Sequence, residues 1–233
     1  MGKYIRITWI MIHLTIATLL ISSLVVIVGV VDVRKKITGI LPRIWGKWVL
    51  WSTGIDYEVK GLENLKPNRK YVFVGNHESA LDIPIAVASL PYNIVFLAKK
   101  ELFRIPLFGW GMWAAGMVRV DRQNREKART SIEKALAQIA RMYISILVYP
   151  EGTRSSTGEL QEFKKGSFIL AIRSKLAVVP ITITGARDVL PKNTIRFRKG
   201  KAQLIVDKPI HTEEMVEKDR NDLMIRTRET ITA

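Results

Sequence analysis

The sequence contains no cysteine, and its three histidines, His13, His77 and His211, lie far apart in 233 residues. The first absence excludes a disulfide framework, a thiolate nucleophile and thiolate metal ligands. Imidazoles so widely spaced do not suggest a zinc site, and no metal is expected. Two spacings are also missing. Without GxxxxGK[S/T] there is no nucleotide-binding Gly-rich loop. Without Gly-x-Ser-x-Gly no serine sits in a nucleophile elbow. Acidic residues are scarce: 21 Asp and Glu stand against 37 Lys and Arg, a formal net charge of +16. Such a balance calls for an anionic partner, whether nucleic acid, an anionic membrane surface or a phosphorylated substrate.

Charge is missing altogether from Ile7 to Val31 if His13 is neutral. A run of that length is long enough to cross a bilayer. It is followed by Asp32-Val33-Arg34-Lys35-Lys36 and not by a small-residue cleavage pattern, so it does not read as a secretory signal. His13, Thr15, Thr18, Ser22 and Ser23 interrupt it, several at spacings that make one polar stripe on a helix. Ile40 to Trp51 mixes Trp with Lys and Arg, the composition of a helix lying among headgroups. Two arrangements remain open: the first helix spans, or both helices enter one leaflet as a hairpin. If the first spans, the basic residues after it outweigh Lys3 and Arg6 and the remaining chain is cytoplasmic. These features argue against nucleic acid as the partner, because no basic and aromatic recognition motif accompanies them.

The remaining chain alternates strand-like and helical segments. Tyr71 to Val74, Ile94 to Ala98, Met117 to Arg122, Ile144 to Tyr149 and Val178 to Ile183 read as strands. Ile83 to Leu90, Asn124 to Arg141, Lys164 to Ile172 and Met215 to Thr230 read as helices, and Arg196 to Val206 as one or two more strands. Nearly continuous apolar strands separated by helices argue an α/β fold, a single mixed or mostly parallel sheet covered on both faces.

His77 and Asp82 fall in the turn between the first buried strand and its helix, the edge where α/β folds collect ligands. A carboxylate on one imidazole nitrogen leaves the other to act as a base. Asp82 also stands where a helix N-terminus favours its charge. Tyr149 closes the central strand and Pro150-Glu151-Gly152-Thr153-Arg154-Ser155 follows. Gly152 lets the backbone bend closely around a ligand. Arg154 is suited to gripping a phosphate, Thr153 and Ser155 to adding donors, and Glu151 to positioning a hydroxyl or a basic side chain. Arg119 and Arg122 are further phosphate candidates. Leu102 to Gly116 is unusually apolar and aromatic, fit for core, for a groove taking a long apolar ligand, or for a membrane face.

Four of these units together resemble the glycerolipid acyltransferase family. Asn76-His77-Glu78-Ser79-Ala80-Leu81-Asp82 is similar to its NHxxxxD block, and Gly116 to Arg122 to its second block. Tyr149 to Ser155 is similar to its third, usually written with Phe first, and Val178-Val179-Pro180-Ile181 to its fourth. The resemblance covers roughly residues 45 to 209. It implies His77 as general base, Asp82 as its orienting carboxylate, and a glycerol phosphate site at Arg122, Glu151, Gly152, Thr153 and Arg154. Arg119 stands where an apolar or aromatic residue is commoner, and is either one more phosphate ligand or turned elsewhere.

The branch resembled most acylates 1-acyl-sn-glycerol 3-phosphate in bacteria. The expected reaction moves a fatty acyl group from an acyl thioester to the 2-hydroxyl of that lysophosphatidic acid, making phosphatidic acid. No cofactor is expected, acyl-CoA or acyl-acyl carrier protein being a co-substrate. A base that must start neutral predicts activity falling below roughly pH 6–7. Residues 1–53 are expected to anchor the chain in the bacterial cell membrane, and residues 54–233 to form the acyltransferase domain on the cytoplasmic face. The same chemistry on glycerol 3-phosphate or another lysophospholipid, and a non-enzymatic basic membrane-surface protein, are the alternatives.

Overall fold

A computed structural model describes residues 2–121 and 125–232. Helix α1 (Lys3–Val31) and helix α2 (Leu41–Thr53) precede the sheet. Strands β1 (Asp56–Lys60) and β2 (Val72–Gly75) are followed by α3 (Asp82–Ser89), β3 (Ile94–Lys99), α4 (Phe108–Ala114) and β4 (Val118–Val120). Then come α5 (Arg125–Arg141), β5 (Ser145–Val148), α6 (Gly166–Ser174), β6 (Val178–Thr184), α7 (Ala186–Val189), β7 (Lys201–Val206) and α8 (Arg220–Thr232).

The seven strands form one sheet in the order β1-β7-β6-β2-β5-β3-β4. From β6 to β4 neighbouring strands are parallel. β7 is antiparallel to β6, and β1 is parallel to β7, so these two run against the rest. The sheet is therefore mostly parallel, flanked by helices. Only Lys201–Val206 of the stretch from Arg196 is strand. Arg198 instead donates its backbone N–H to the carbonyl of Val189.

Alternation within the buried strands feeds two cores. Phe73, Leu147, Val179 and Ile181 pack with Ile85 and Leu90 of the α3 region and Leu204 of β7. Val72, Val74, Ile146 and Val148 pack on the other face against Ile139, Phe168 and Leu223 from α5, α6 and α8. Both faces of the central strands are out of solvent, which is why their apolar runs are continuous.

α1 and α2 lie side by side, antiparallel. Trp45 Nε1 donates to Thr18 Oγ1 at 3.1 Å and Trp48 Nε1 to His13 Nδ1 at 3.1 Å. Ser22 is buried against Gly111 of α4. Three members of the polar stripe on α1 thus face protein, whereas Thr15 is exposed. The outward side of α1 is apolar and open, with Tyr4, Ile5, Ile12, Leu20, Ile27 and Val30 each at least half exposed. Length and hydropathy make this helix fit for a bilayer, and the chain associates with membrane through it.

The turn after α1 is a compact unit. Asp32 accepts the backbone N–H groups of Lys36, Ile37 and Thr38 and the Thr38 hydroxyl. Partial burial pushes the Asp32 carboxyl up, and those hydrogen bonds together more than reverse it, leaving its pKa lowered.

Candidate active site

β2 and β5 are neighbours in register, Val74 beside Val148. The segments leaving their carboxyl ends therefore rise together, bringing His77 next to Glu151 three residues beyond each. The backbone N–H of His77 donates to Glu151 Oε1 at 2.7 Å, and its carbonyl accepts the N–H of Ser155 at 2.7 Å. The second oxygen of Glu151 accepts the N–H of Gln161 at 3.0 Å. Glu151 is buried and is turned inward to hold two backbone segments. Glu151 was expected to position a hydroxyl or a basic side chain; in the structure each of its oxygens accepts a main-chain N–H.

Asp82 opens α3 and is 1% exposed at its side chain, while His77 is 15% exposed. Their contact is His77 Nδ1 to Asp82 Oδ2, 2.7 Å. The same oxygen accepts the N–H groups of Glu78 at 2.8 Å and Ser79 at 2.9 Å, so the turn between them wraps the carboxylate. A charged oxygen holding three donors at a helix N-terminus is a rigid acceptor. It occupies Nδ1 and leaves Nε2 as the nitrogen able to take a proton. Asn76 fixes the base of this turn through Nδ2 to Ile183 O and Ile183 N to Oδ1, both 2.8 Å. The Tyr149 ring stacks on the imidazole, centroids 4.2 Å apart.

The turn after β5 is the cationic wall. Gly152 has φ +75°, and a Cβ there would lie 2.6 Å from Lys164 Nζ. Glycine thus serves twice, for the left-handed backbone and for the room it gives an ammonium. Lys192 Nζ donates to the carbonyl of Arg154 at 2.6 Å. Arg154 is half-buried and Thr153 exposed. Ser155 is buried, and its hydroxyl accepts the N–H of Gly158 at 3.0 Å, stiffening its own loop instead of facing a ligand. Arg187 donates to the carbonyls of Ser156 and Thr157 in that loop.

Arg119 is exposed within edge strand β4, three strands across from β2, roughly 14 Å at ordinary strand spacing. It does not join the His77 turn directly. Arg122 lies outside the described residues. Lys100, on the segment after β3, pairs with Asp121 at 2.7 Å. Sequence reading missed Lys164 and Lys192. The first carried a signal in its Lys164-Lys165-Gly166 run; the second had none, being 38 residues from Arg154.

An apolar cavity opens beside the pair. Ile83, next in the chain to Asp82, lines it with Val87, Phe96, Phe108, Met112 and Ile21. Its walls come from α1, α2, α3, β3 and α4 together. Among the described residues no cluster of three or more His, Asp or Glu side chains is placed to hold a metal ion.

A His–Asp pair thus stands at the carboxyl ends of a mostly parallel sheet, fronted by an apolar hairpin. An acyltransferase family profile matches residues 56–184, from β1 through β6. The chain belongs to the glycerolipid acyltransferase family. It is 33% identical over 178 residues to the human 1-acyl-sn-glycerol-3-phosphate acyltransferase alpha, covering 76% of this chain and 63% of that one. The 1-acyl-sn-glycerol-3-phosphate acyltransferase of Cocos nucifera is 32% identical over 179 residues, covering 77% and 58%. The chain thus spans about three fifths of the length of these curated relatives. The crystal structure of the 1-acyl-sn-glycerophosphate acyltransferase of Thermotoga maritima matches with a TM-score of 0.78 at 25% identity, over 99% of this chain and 96% of that one.

Proposed function

We propose that this protein transfers a fatty acyl group from the thioester of acyl carrier protein or coenzyme A to the 2-hydroxyl of 1-acyl-sn-glycerol 3-phosphate, yielding phosphatidic acid. The observation that carries this reading is the 2.7 Å contact between His77 Nδ1 and a buried Asp82. His77 Nε2 takes the proton of the acceptor hydroxyl as its oxygen bonds to the thioester carbonyl carbon. The C–S bond then breaks, and the imidazolium returns the proton to the departing thiolate. Asp82 stabilises the transient imidazolium and holds the ring. No acyl-enzyme is needed in this scheme. Arg154, with Gly152 and Thr153, receives the acceptor phosphate, with Arg119 and Arg122 as further candidates for that role. An acyl chain occupies the cavity beside Ile83. The relatives named above carry this activity in their names.

The hairpin sits in one leaflet of the cell membrane with the sheet domain on the cytoplasmic face. Both ends of α1 are tied to the sheet domain. Arg6 donates to Thr53 O at 2.9 Å and Arg198 O at 3.2 Å. Just past the other end, Tyr143 N donates to Arg34 O at 3.0 Å and Asn93 Nδ2 to Lys35 O at 2.7 Å. A 29-residue helix is about 43 Å long, and a spanning one would part its ends across about 30 Å of hydrocarbon. A single domain holding both ends favours the in-plane arrangement.

The test uses purified protein in detergent, wild type and His77→Ala, with a palmitoyl thioester donor. The acceptors are 1-acylglycerol 3-phosphate, glycerol 3-phosphate and a lysophosphatidylcholine. Lipid product and free thiol are followed separately. Phosphatidic acid from wild type alone, with the first acceptor preferred, is the expected result. Preference for another acceptor moves the substrate and keeps the chemistry. No thioester consumption by folded protein overturns the enzyme reading.

A further inference from the structure

The apolar segment from Leu102 to Gly116 divides into two faces. On α4, Phe108, Gly111 and Met112 line the cavity, with Ala115 just beyond the helix. Trp110 and Trp113, three residues apart on the opposite face, are 61% and 77% exposed. Ile105 and Leu102, in the turn before them, are also exposed. Two large indoles held open to water are costly unless something covers them.

The fold holds them outward. Pro106, Leu107 and Phe108 form a tight reversal with Leu107 at φ +62°, closed by Phe108 N to Pro106 O at 2.7 Å. A leucine in that conformation is strained. The reversal sets α4 against α1, where small residues allow close approach. A Cβ on Gly111 would lie 2.9 Å from Ser22 Cβ, and one on Gly29 would lie 3.0 Å from Ala114 Cβ. Beside this contact α1 exposes Ile27, Val30 and Val31, and Val33 follows. The open faces of α1 and α4 therefore adjoin. Arg34, Lys36 and Arg104, all exposed, flank them in the chain. Tryptophan beside cations is the composition of a headgroup boundary.

We infer that α4 is a second membrane contact, with Trp110 and Trp113 inserted in the same leaflet as the hairpin and the neighbouring cations on anionic headgroups. This rests on the membrane reading of α1 and extends it to a part of the sheet domain. The partner is a lipid surface, because the patch continues the apolar face of α1 and carries basic neighbours.

The absence of cysteine permits a direct test. Trp113→Cys, Leu20→Cys and Glu229→Cys are each labelled with an environment-sensitive nitrobenzoxadiazole dye. The labelled proteins are added to vesicles of phosphatidylcholine with phosphatidylglycerol. Labels at 113 and 20 should brighten, move to the blue and be quenched by brominated lipid, while that at 229 on α8 stays water-like. A lipid signal at 20 with a water-like 113 overturns the inference and spares the hairpin reading. Water-like signals at both sink the membrane reading itself. A lipid-independent shift at 113 that grows with protein concentration also overturns it, since a second copy then covers the patch. As an independent measure, Trp110→Ser with Trp113→Ser should weaken vesicle partition by at least about tenfold with the circular dichroism spectrum unchanged. Unchanged partition counts against the contact.

Discussion

The imidazole of His77 lies flat against the ring of Tyr149, with centroids 4.2 Å apart and planes 15° from parallel. The ring edge is partly open, but the hydroxyl is out of solvent contact and has no hydrogen-bond partner among the described residues. Burial, and then the negative charge of Asp82, push the phenol well above its ordinary pKa, so it stays neutral. The stack is thus the useful part of this side chain. Tyr149→Phe should keep turnover and leave stability unchanged or up to about 1 kcal/mol higher. Tyr149→Ala frees the imidazole to swing and should lower kcat by about tenfold or more. Equal losses in both variants would assign the work to the hydroxyl.

Glu151 separates a positioning role from a binding one. Its oxygens hold the N–H groups of His77 and Gln161. Gln at this place keeps one acceptor and sets an amide N–H against a backbone donor. Glu151→Gln should cost about 1–3 kcal/mol of stability. It should also lower kcat with little change in the KM for the acceptor, because on the proposed reading His77, the base, moves and the phosphate site does not. A rise confined to acceptor KM would mean that Glu151 meets the substrate.

The spacing of His77 and Asp82 made their contact legible in the sequence, since a tight turn into a helix returns a residue five places on. The strands β2, β5 and β6 were legible as short apolar runs between turn residues. Other features depend on pairing that no local pattern carries. The reversal of β1 and β7 is set by which edge the chain returns to. The inward turn of Glu151 and the stack of Tyr149 follow from the register of β2 against β5. The polar stripe on α1 was visible, but that His13 and Thr18 receive Trp48 and Trp45 needs the antiparallel hairpin. Lys192 reaches Arg154 only through the loop after α7.

Gly152 and Lys164 yield a paired prediction. An alanine at φ +75° is strained by about 1–2 kcal/mol. Its methyl would also displace the Lys164 ammonium from the turn that carries Arg154. Gly152→Ala should therefore lose stability and raise the KM for a phosphorylated acceptor. Lys164→Met should raise that KM severalfold with stability and kcat nearly intact. If Lys164→Met leaves acceptor KM unchanged, the ammonium is a bystander and the need for glycine is conformational alone.

Glu78 gives a pH-dependent outcome. It is half-buried in the turn between His77 and Asp82, where its Oε1 accepts Asn76 Nδ2 at 3.1 Å. Burial raises its pKa, and the charges of Asp82 and Glu151 add to this; the Asn76 hydrogen bond and Arg187 only partly offset them. A carboxyl raised on folding is harder to ionise in the native state than in the unfolded chain. The resulting penalty is full above the native pKa and absent below the unfolded value of about 4.3. Glu78→Gln keeps the acceptor for Asn76 and removes the charge. It should raise the thermal midpoint at pH 8 by about 1–2 °C after allowance for solvent screening. The gain should shrink as pH falls through the native pKa and vanish near pH 4. Turnover should be largely kept, because Asp82 takes the backbone N–H of residue 78 and not its side chain. Thermal scans of wild type and Glu78→Gln across that range decide the matter. A gain that does not change between pH 8 and pH 4 would locate the effect in packing, and the burial of charge beside Asp82 would then carry no cost.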